Sequence, residues 1–396
     1  MAERRRLLAG SYGPERVPPR PDPDDGGWYL PLHVRDAAAA RERIAAQVAA
    51  GADVIVAPTW LTHRRALLPV GETRRAGDWT AAAVHLAREA VELGLERRTT
   101  ALAEVPDDDV RHGRPLPLVA ASLPGLEAEP EADSGRLLPP EAATERDYHA
   151  QAGVLAEAEP DVILVEGQRS EMSARTAMTE AIQTGLPVWA ALTGSALATS
   201  GTEGWLAWAG AAGIARLLLP GPAAGRGPAA EGPLPWGALV EEPEEVGDWL
   251  ALGAGAIARL DGCTIPRLEQ LRAAIDDDER PAIEAARVAT ERWRATVQAA
   301  AAMASGGAAV WLGAAPAWSL PDGFDWLVVG ETEGPRLPVD RFRLAVAASA
   351  GGARLLSRTL ERGGVLLGPA VPGTGLRLLT LDDSSQPPLA IYRREE

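Results

Sequence analysis

Short apolar runs alternate with longer amphipathic segments through the first two-thirds of the chain. Eight of these runs are apolar on both faces, as is typical of parallel strands with helices on one side and a packed core on the other. The alternation therefore predicts parallel strands joined by crossover helices. The predicted strands are residues 7–10, 53–57, 117–122, 161–165, 187–192, 215–219, 234–240 and 256–260.

The segments between the runs carry helical patterns at 37–50, 80–93, 140–156, 170–184, 244–252 and 265–275. Pro266 falls in the first turn of the last helix, where proline is best tolerated. Residues 221–232 are too rich in Gly and Pro for a long helix, so a loop is expected there. Eight strands that alternate with such segments predict an α/β fold, a (β/α)8 TIM barrel, over residues 1–276.

The pattern changes after an acidic run at 276–279, which is followed by Pro281. We expect a domain boundary here, with residues 277–396 forming a small α+β domain. Its predicted elements are a long helix at 281–304, strands at 308–313 and 326–330, a helix at 338–350, and an antiparallel pair at 376–381 and 389–392. The glycine-rich stretch 363–375 predicts turns.

Charge and composition narrow the functional classes. The net charge of −16 and pI near 4.9 argue against nucleic-acid and membrane-surface partners. All 39 basic residues are Arg, which excludes a lysine Schiff base and indicates a GC-rich, bacterial genome. Cys263 is the one cysteine, so no intrachain disulfide can form. No signal peptide or membrane span is evident, and a cytoplasmic location is expected.

An ordered series of motifs resembles the homocysteine S-methyltransferase family, which includes betaine-dependent enzymes and the N-terminal module of cobalamin-dependent methionine synthase. The main matches are AGADVIVAPTW at 50–60, YHAQAGVLAEAEPDVILVEG at 148–167 and LDGCTIPRL at 260–268. Shorter ones, AGSYG at 9–13 and SLPG at 122–125, keep the same order. The resemblance implies a TIM barrel and methyl transfer to a thiol.

The resemblance also implies a cofactor that the residues do not match. In the family, zinc sits on three thiolates and lowers the pKa of the homocysteine thiol. Here Leu219 and Pro220 stand at the first thiolate position, and Asp261 and Gly262 at the adjacent pair. Cys263 falls one residue later, so a site from Asp261, Cys263 and a third group stays open. Zinc is expected from the family, its ligands are absent, no metal ligand is assigned, and the cofactor is unknown.

Other family positions are retained at the predicted strand ends. Glu166 follows the fourth strand, where the family's glutamate contacts the amino group of homocysteine. Gly10, Thr59 and Ser122 also remain, and with Glu166 they form the expected substrate-binding set. TIM-barrel active sites lie at the carboxyl ends of the strands. The resemblance therefore implies that the barrel mouth binds an amino-bearing small molecule.

Three residues are candidates for catalysis. Glu166 and Asp261 could face each other across the mouth as an acid–base pair or bind Mg²⁺, although Asp261 could equally cap the last helix. Cys263 lies near a helix N-terminus, which lowers a thiol pKa, but a small buried residue is the alternative.

Three functions remain open. The chain could be a methyltransferase-like enzyme with a lost or relocated metal, or a barrel hydrolase or isomerase that uses Glu166 and Asp261. It could also be a non-catalytic binding or assembly protein, with the C-terminal domain forming a homo-oligomer or a protein interface. Bound metal would favour the first function, and a filled mouth the third.

Overall fold

The structure is a computed structural model, and it describes most of the chain. The described residues are 4–10, 30–68, 70–103, 105, 114–126, 141–197, 200–220, 234–260, 263–304, 306–312, 316, 318–329, 337, 341–347, 349, 352–353, 356–357, 359–369, 376–382 and 389–394. Contacts divide the chain into two compact units at Arg280 and Pro281. The sequence placed this division after residue 276.

The first unit is a closed barrel of eight parallel strands in sequential order. It closes where the last strand pairs with the first, at Leu7↔Ile257. The strands are β1 Arg6–Ala9, β2 Val54–Ala57, β3 Leu118–Pro124, β4 Val162–Glu166, β5 Val188–Ala191, β6 Arg216–Leu219, β7 Trp236–Leu239 and β8 Ala256–Arg259. The predicted TIM barrel and its eight strands are confirmed.

Alternate residues of the strands form two separate apolar clusters. One cluster fills the barrel, and its members include Leu8, Val56, Leu164 and Leu218. The other lies between the strands and the surrounding helices. This two-sided burial follows from the alternation of side chains along a strand, and it explains why the strands are apolar on both faces.

The helices of this unit are α1 Leu32–Arg35, α2 Ala37–Ala49, α3 Arg64–Leu67, α4 Ala76–Leu102, α5 Glu141–Glu157, α6 Glu171–Ile182, α7 Gly194–Leu197, α8 Gly201–Ala212 and α9 Val246–Ala251, followed by α10, Ile265–Ala304. The apolar pattern does not predict α8, because its glycines weaken the helical signal. The edge-to-face packing of Trp205 and Trp208, with ring centroids 5.5 Å apart, stabilises this helix instead. The guanidinium of Arg175 lies 4.7 and 4.6 Å from the two rings.

Helix α10 is continuous, so the prediction of two separate helices at 265–275 and 281–304 is wrong. Pro281 lies inside the helix. The acidic run does not end the helix, because its carboxylates pair with arginines. Asp278 pairs with Arg5, and Glu279 lies 3.9 Å from Arg272.

A buried ion network joins this helix to the start of the barrel. Arg272 lies 2.9 Å from Asp53 and 2.7 Å from Asp276, with all three side chains at most 7% exposed. Asp53 also accepts a hydrogen bond from Leu7 N at 2.9 Å. Arg114 pairs with Asp276, and burial lowers the pKa of Arg114 to about 10. These contacts fix β1, the residue before β2 and α10 relative to one another.

The second unit contains a six-stranded sheet in the order β10-β9-β11-β12-β14-β13. Its strands are β9 Gly307–Leu312, β10 Phe324–Val329, β11 Phe342–Ala347, β12 Leu360–Pro369, β13 Arg377–Asp382 and β14 Leu389–Arg393. The antiparallel pairing of β13 with β14 is confirmed. The predicted helix at 338–350 is wrong over β11, where a short apolar run fits either element. Residues 363–369, expected in turns, belong to β12.

Apolar residues cover both faces of this sheet. On one face, Val297 and Ala300 of α10 belong to a cluster with Trp311 and Leu344. The opposite face gathers Leu312, Leu366 and Tyr392. Because both faces are buried, the central strands again read as apolar runs. No helix in the described part of the chain is long and apolar enough to cross a membrane.

We expect Arg272→Met to lower the free energy of unfolding by about 3–5 kcal/mol, because buried Asp53 loses its ion-pair partner and buried Asp276 loses one of two. Urea unfolding followed by circular dichroism measures this change. Arg280→Gln is the control, since Arg280 pairs with Asp277 at the surface, and it should change stability by less than about 0.5 kcal/mol. Equal effects of the two substitutions would contradict a structural role for the network.

Candidate functional site

The carboxyl ends of the barrel strands bring three of the predicted site residues to one end of the barrel. Glu166 is the last residue of β4, Ser122 lies in β3, and Thr59 lies two residues beyond β2. All three are at most 1% exposed. They lie on neighbouring strands, because β2 pairs with β3 and β3 with β4. Their role in substrate binding stays a prediction.

Thr59 and Ser122 are linked through their backbones and hydroxyls. The hydroxyl of Thr59 accepts a hydrogen bond from Ser122 N at 2.8 Å and lies 3.4 Å from Ser122 O. These contacts join the ends of β2 and β3. The buried hydroxyl of Ser122 has no hydrogen-bond partner among the described residues. This hydroxyl can therefore donate to or accept from a molecule in the mouth.

Glu166 continues the interior face of β4. Val162 and Leu164 belong to the cluster that fills the barrel, and Glu166 has the same alternation two residues further on. In the adjacent strands it is in register with Pro124 and Ala191. Its carboxylate therefore lies on the axial side of the barrel at the mouth. A buried carboxylate in this position favours a cationic partner.

The loops around Glu166 approach each other too closely for side chains at two glycines. A Cβ on Gly167, whose φ is +78°, would lie 2.5 Å from Trp60 Cη2. A Cβ on Gly125 would lie 2.3 Å from Gly167 O. Gln168 Nε2 donates to Leu123 O at 3.1 Å. The indole of Trp60, which is 9% exposed, thus covers the backbone beside Glu166.

The other predicted site residues are Gly10, Cys263 and Asp261. Gly10 has a φ of +88°, and a Cβ there would lie 3.1 Å from Gln47 Nε2. Cys263 is 6% exposed and belongs to the apolar cluster between strands and helices. Asp261 lies outside the described residues.

The donor set does not fit a zinc ion held by three thiolates. The chain has one cysteine, and Cys263 lies among apolar side chains. Within the described ranges, no group of three His, Cys, Asp or Glu side chains is arranged to hold a metal ion. The family's zinc chemistry therefore has no set of ligands in these residues.

Two histidines near β2 have strongly lowered pKa values. Burial lowers the pKa of His33 to about 4. Burial and the nearby Arg65 cation lower the pKa of His63 to about 4, although Asp147 acts in the opposite direction. His63 caps α3, because its Nδ1 accepts from Ala66 N at 3.3 Å. Both imidazoles are therefore neutral at pH 7.

Tyr148 and Gln151 of α5 are buried polar residues without a role predicted from the sequence. Both belong to the motif that carries the strongest resemblance, and their i, i+3 spacing places them on one helix face. Tyr148 Oη accepts from Leu126 N at 3.1 Å and lies 2.8 Å from Ser173 Oγ. Gln151 is 4% exposed. The motif at 148–167 marks these residues as candidates, but their spacing does not show what they contact.

We expect His63→Asn to flatten the loss of stability with acid between pH 6.5 and about 4. The folded protein keeps this histidine neutral, so protonation favours the unfolded state by about 1.4 kcal/mol per pH unit in that window. Asn retains an N-cap acceptor. Urea unfolding of both proteins across this window measures the difference. Parallel pH profiles would contradict the lowered pKa.

The family match includes the strands that carry the candidate site. Residues 34–214 match the family model described as homocysteine S-methyltransferase. This segment contains β2 to β5 and therefore includes Thr59, Ser122 and Glu166. No curated protein matches the chain.

Solved structures support the fold. The metallated form of the homocysteine methyltransferase MmuM from Escherichia coli is 18% identical, covers 69% of this chain and 96% of its own, and gives a TM-score of 0.51. The apo form is also 18% identical, covers 69% of this chain and 97% of its own, and gives a TM-score of 0.47. At this identity the likeness to the metallated form shows the fold alone. By the match to the family model, residues 34–214 are similar to the homocysteine S-methyltransferase family.

Proposed function

We propose that the barrel mouth binds an amino-bearing small molecule such as homocysteine, and that Glu166 receives its ammonium group. The observation that carries this proposal is a carboxylate buried to 1% exposure at the end of β4, inside the segment that matches the family. A buried carboxylate attracts a cation strongly, because its charge is weakly screened away from bulk water. The ammonium group of an amino-bearing ligand is such a cation.

The surrounding residues support binding of a compact ligand. The Thr59 hydroxyl fixes the backbone of Ser122, which leaves the Ser122 hydroxyl to contact the ligand. Trp60 covers the adjacent backbone at Gly167 and excludes water from this side of the carboxylate. A drier site strengthens the attraction between the carboxylate and an ammonium group.

We further propose that the chain does not use zinc-thiolate chemistry for methyl transfer. The family's mechanism needs three thiolates to hold zinc, and this chain has only Cys263. Without a metal, a thiol with a pKa of about 8.5 is mostly protonated at pH 7 and is a weak nucleophile. Binding without zinc-dependent catalysis is therefore the function that the residues support best.

We expect Glu166→Gln to weaken binding of L-homocysteine at least about tenfold, because the ammonium loses its charged partner. Isothermal titration calorimetry of the full chain measures the affinity. Glu180→Gln is a matched control: Glu180 is 7% exposed but pairs with His149 on the outer helices. Equal affinity of wild type and Glu166→Gln would sink the assignment of Glu166, and no binding by wild type would sink homocysteine as the ligand.

Elemental analysis of the purified protein should find less than stoichiometric zinc, because the ligand set is missing. Cys263→Ser should then bind homocysteine as tightly as wild type. One zinc per chain that disappears in Cys263→Ser would instead reveal a relocated metal site, and it would restore metal-assisted methyl transfer as the leading function. Inductively coupled plasma mass spectrometry makes this measurement.

A further inference from the structure

A cavity of about 350 Å³ lies beside the connections that follow β2 and β3. It is bounded by α5 and by the connection from β2 to α4, and its volume lies at the lower end of the range for small-molecule sites. None of Thr59, Ser122 and Glu166 lines it. The cavity is therefore a candidate site separate from the one proposed for the amino-bearing ligand.

Three arginines and one aspartate supply the charges on the cavity wall. Arg65 donates to Asp147 at 2.5 Å and also to Leu126 O, so these two charges largely offset each other. Arg64 and Arg74 line the same cavity. Neither side chain makes an ion pair or hydrogen bond within the described part of the chain. Among the described residues, the wall thus presents two solvent-exposed cations without an ion-pair partner, in a protein whose net charge is −16.

Gln151 points independently to a ligand. It lines the cavity and is 4% exposed, yet its amide nitrogen has no hydrogen-bond partner among the described residues. Leaving a buried donor unpaired costs about 1–3 kcal/mol. A ligand oxygen in the cavity would accept from this nitrogen and remove that cost.

His63 adds a neutral donor to the wall. Its Nδ1 accepts from Ala66 N, so in the neutral imidazole the proton resides on Nε2. Burial, with the Arg65 cation, lowers the pKa of His63 to about 4. The lining therefore combines guanidinium, amide and imidazole donors, and the Asp147 carboxylate is already occupied by Arg65.

We propose that this cavity binds a small oxyanion, a carboxylate or phosphate group, through the guanidinium groups of Arg64 and Arg74 and the amide of Gln151. Guanidinium groups match the geometry of both oxyanions. The unpaired amide donor gives the ligand a fixed position rather than general surface attraction. This site is independent of the proposed function of the mouth.

The test is calorimetric titration of the full chain with inorganic phosphate and with citrate, at constant ionic strength in chloride. Binding of phosphate alone would assign phosphoryl ligands, and binding of citrate alone would assign carboxylates. Affinity should fall as the ionic strength is raised, because the attraction is electrostatic. Absence of binding by both anions would overturn the proposal.

Variants locate the binding. Arg64→Gln/Arg74→Gln should weaken the better anion at least about tenfold, whereas Arg280→Gln, on the exposed surface, should leave it unchanged. Gln151→Leu should weaken binding while leaving the thermal midpoint equal or higher, since it removes an unpaired buried donor. Undiminished binding in either the double variant or Gln151→Leu would overturn the proposed site.

The proposals for the cavity and for the mouth can be tested separately. Glu166→Gln should leave the affinity for phosphate or citrate unchanged, since Glu166 does not line the cavity. Loss of anion binding in Glu166→Gln would place the anion in the mouth and overturn the proposal for a second site. A failure of homocysteine to bind wild type would leave the result of the anion titration intact.

Discussion

The pairing of Arg272 with Asp53 and Asp276 is the interaction on which the barrel depends. It connects α10 with the residue that precedes β2, and Asp53 in turn holds the backbone of β1 at Leu7. The ion pairs are buried, so each group is costly without its partners. The network therefore closes the amino-terminal end of the barrel as one unit, and the opposite end is free to carry a binding site.

This division between the two ends explains why the mouth can contain a buried carboxylate. Glu166 can be retained as a buried carboxylate because the strand that carries it is held by neighbours on both sides. Thr59, Trp60 and the glycines around Gly167 then fit the loops closely together. The ion network lies at one end of the barrel and the proposed binding site at the other, as is general for this fold.

The two proposed sites carry charges of opposite sign. The mouth offers a carboxylate, and the cavity beside α5 offers Arg64, Arg74 and the amide of Gln151. The overall charge of −16 predicts neither, because a ligand responds to the groups within a few ångströms of it. One cysteine cannot supply three thiolates, so the sequence excludes a three-thiolate metal site within the chain, however it folds.

The sequence by itself determined the barrel, because strands buried on both faces leave a distinctive run of apolar residues, and it placed Thr59, Ser122 and Glu166 at strand ends. Tertiary structure alone decided the continuity of α10, since the partners of its acidic run lie far away in the chain, as Arg114 does from Asp276. It also decided that 342–347 form β11, because neighbouring strands select the conformation of a short apolar run. The cavity around Gln151 likewise depends on segments separated by many residues, and no local pattern records which of them meet.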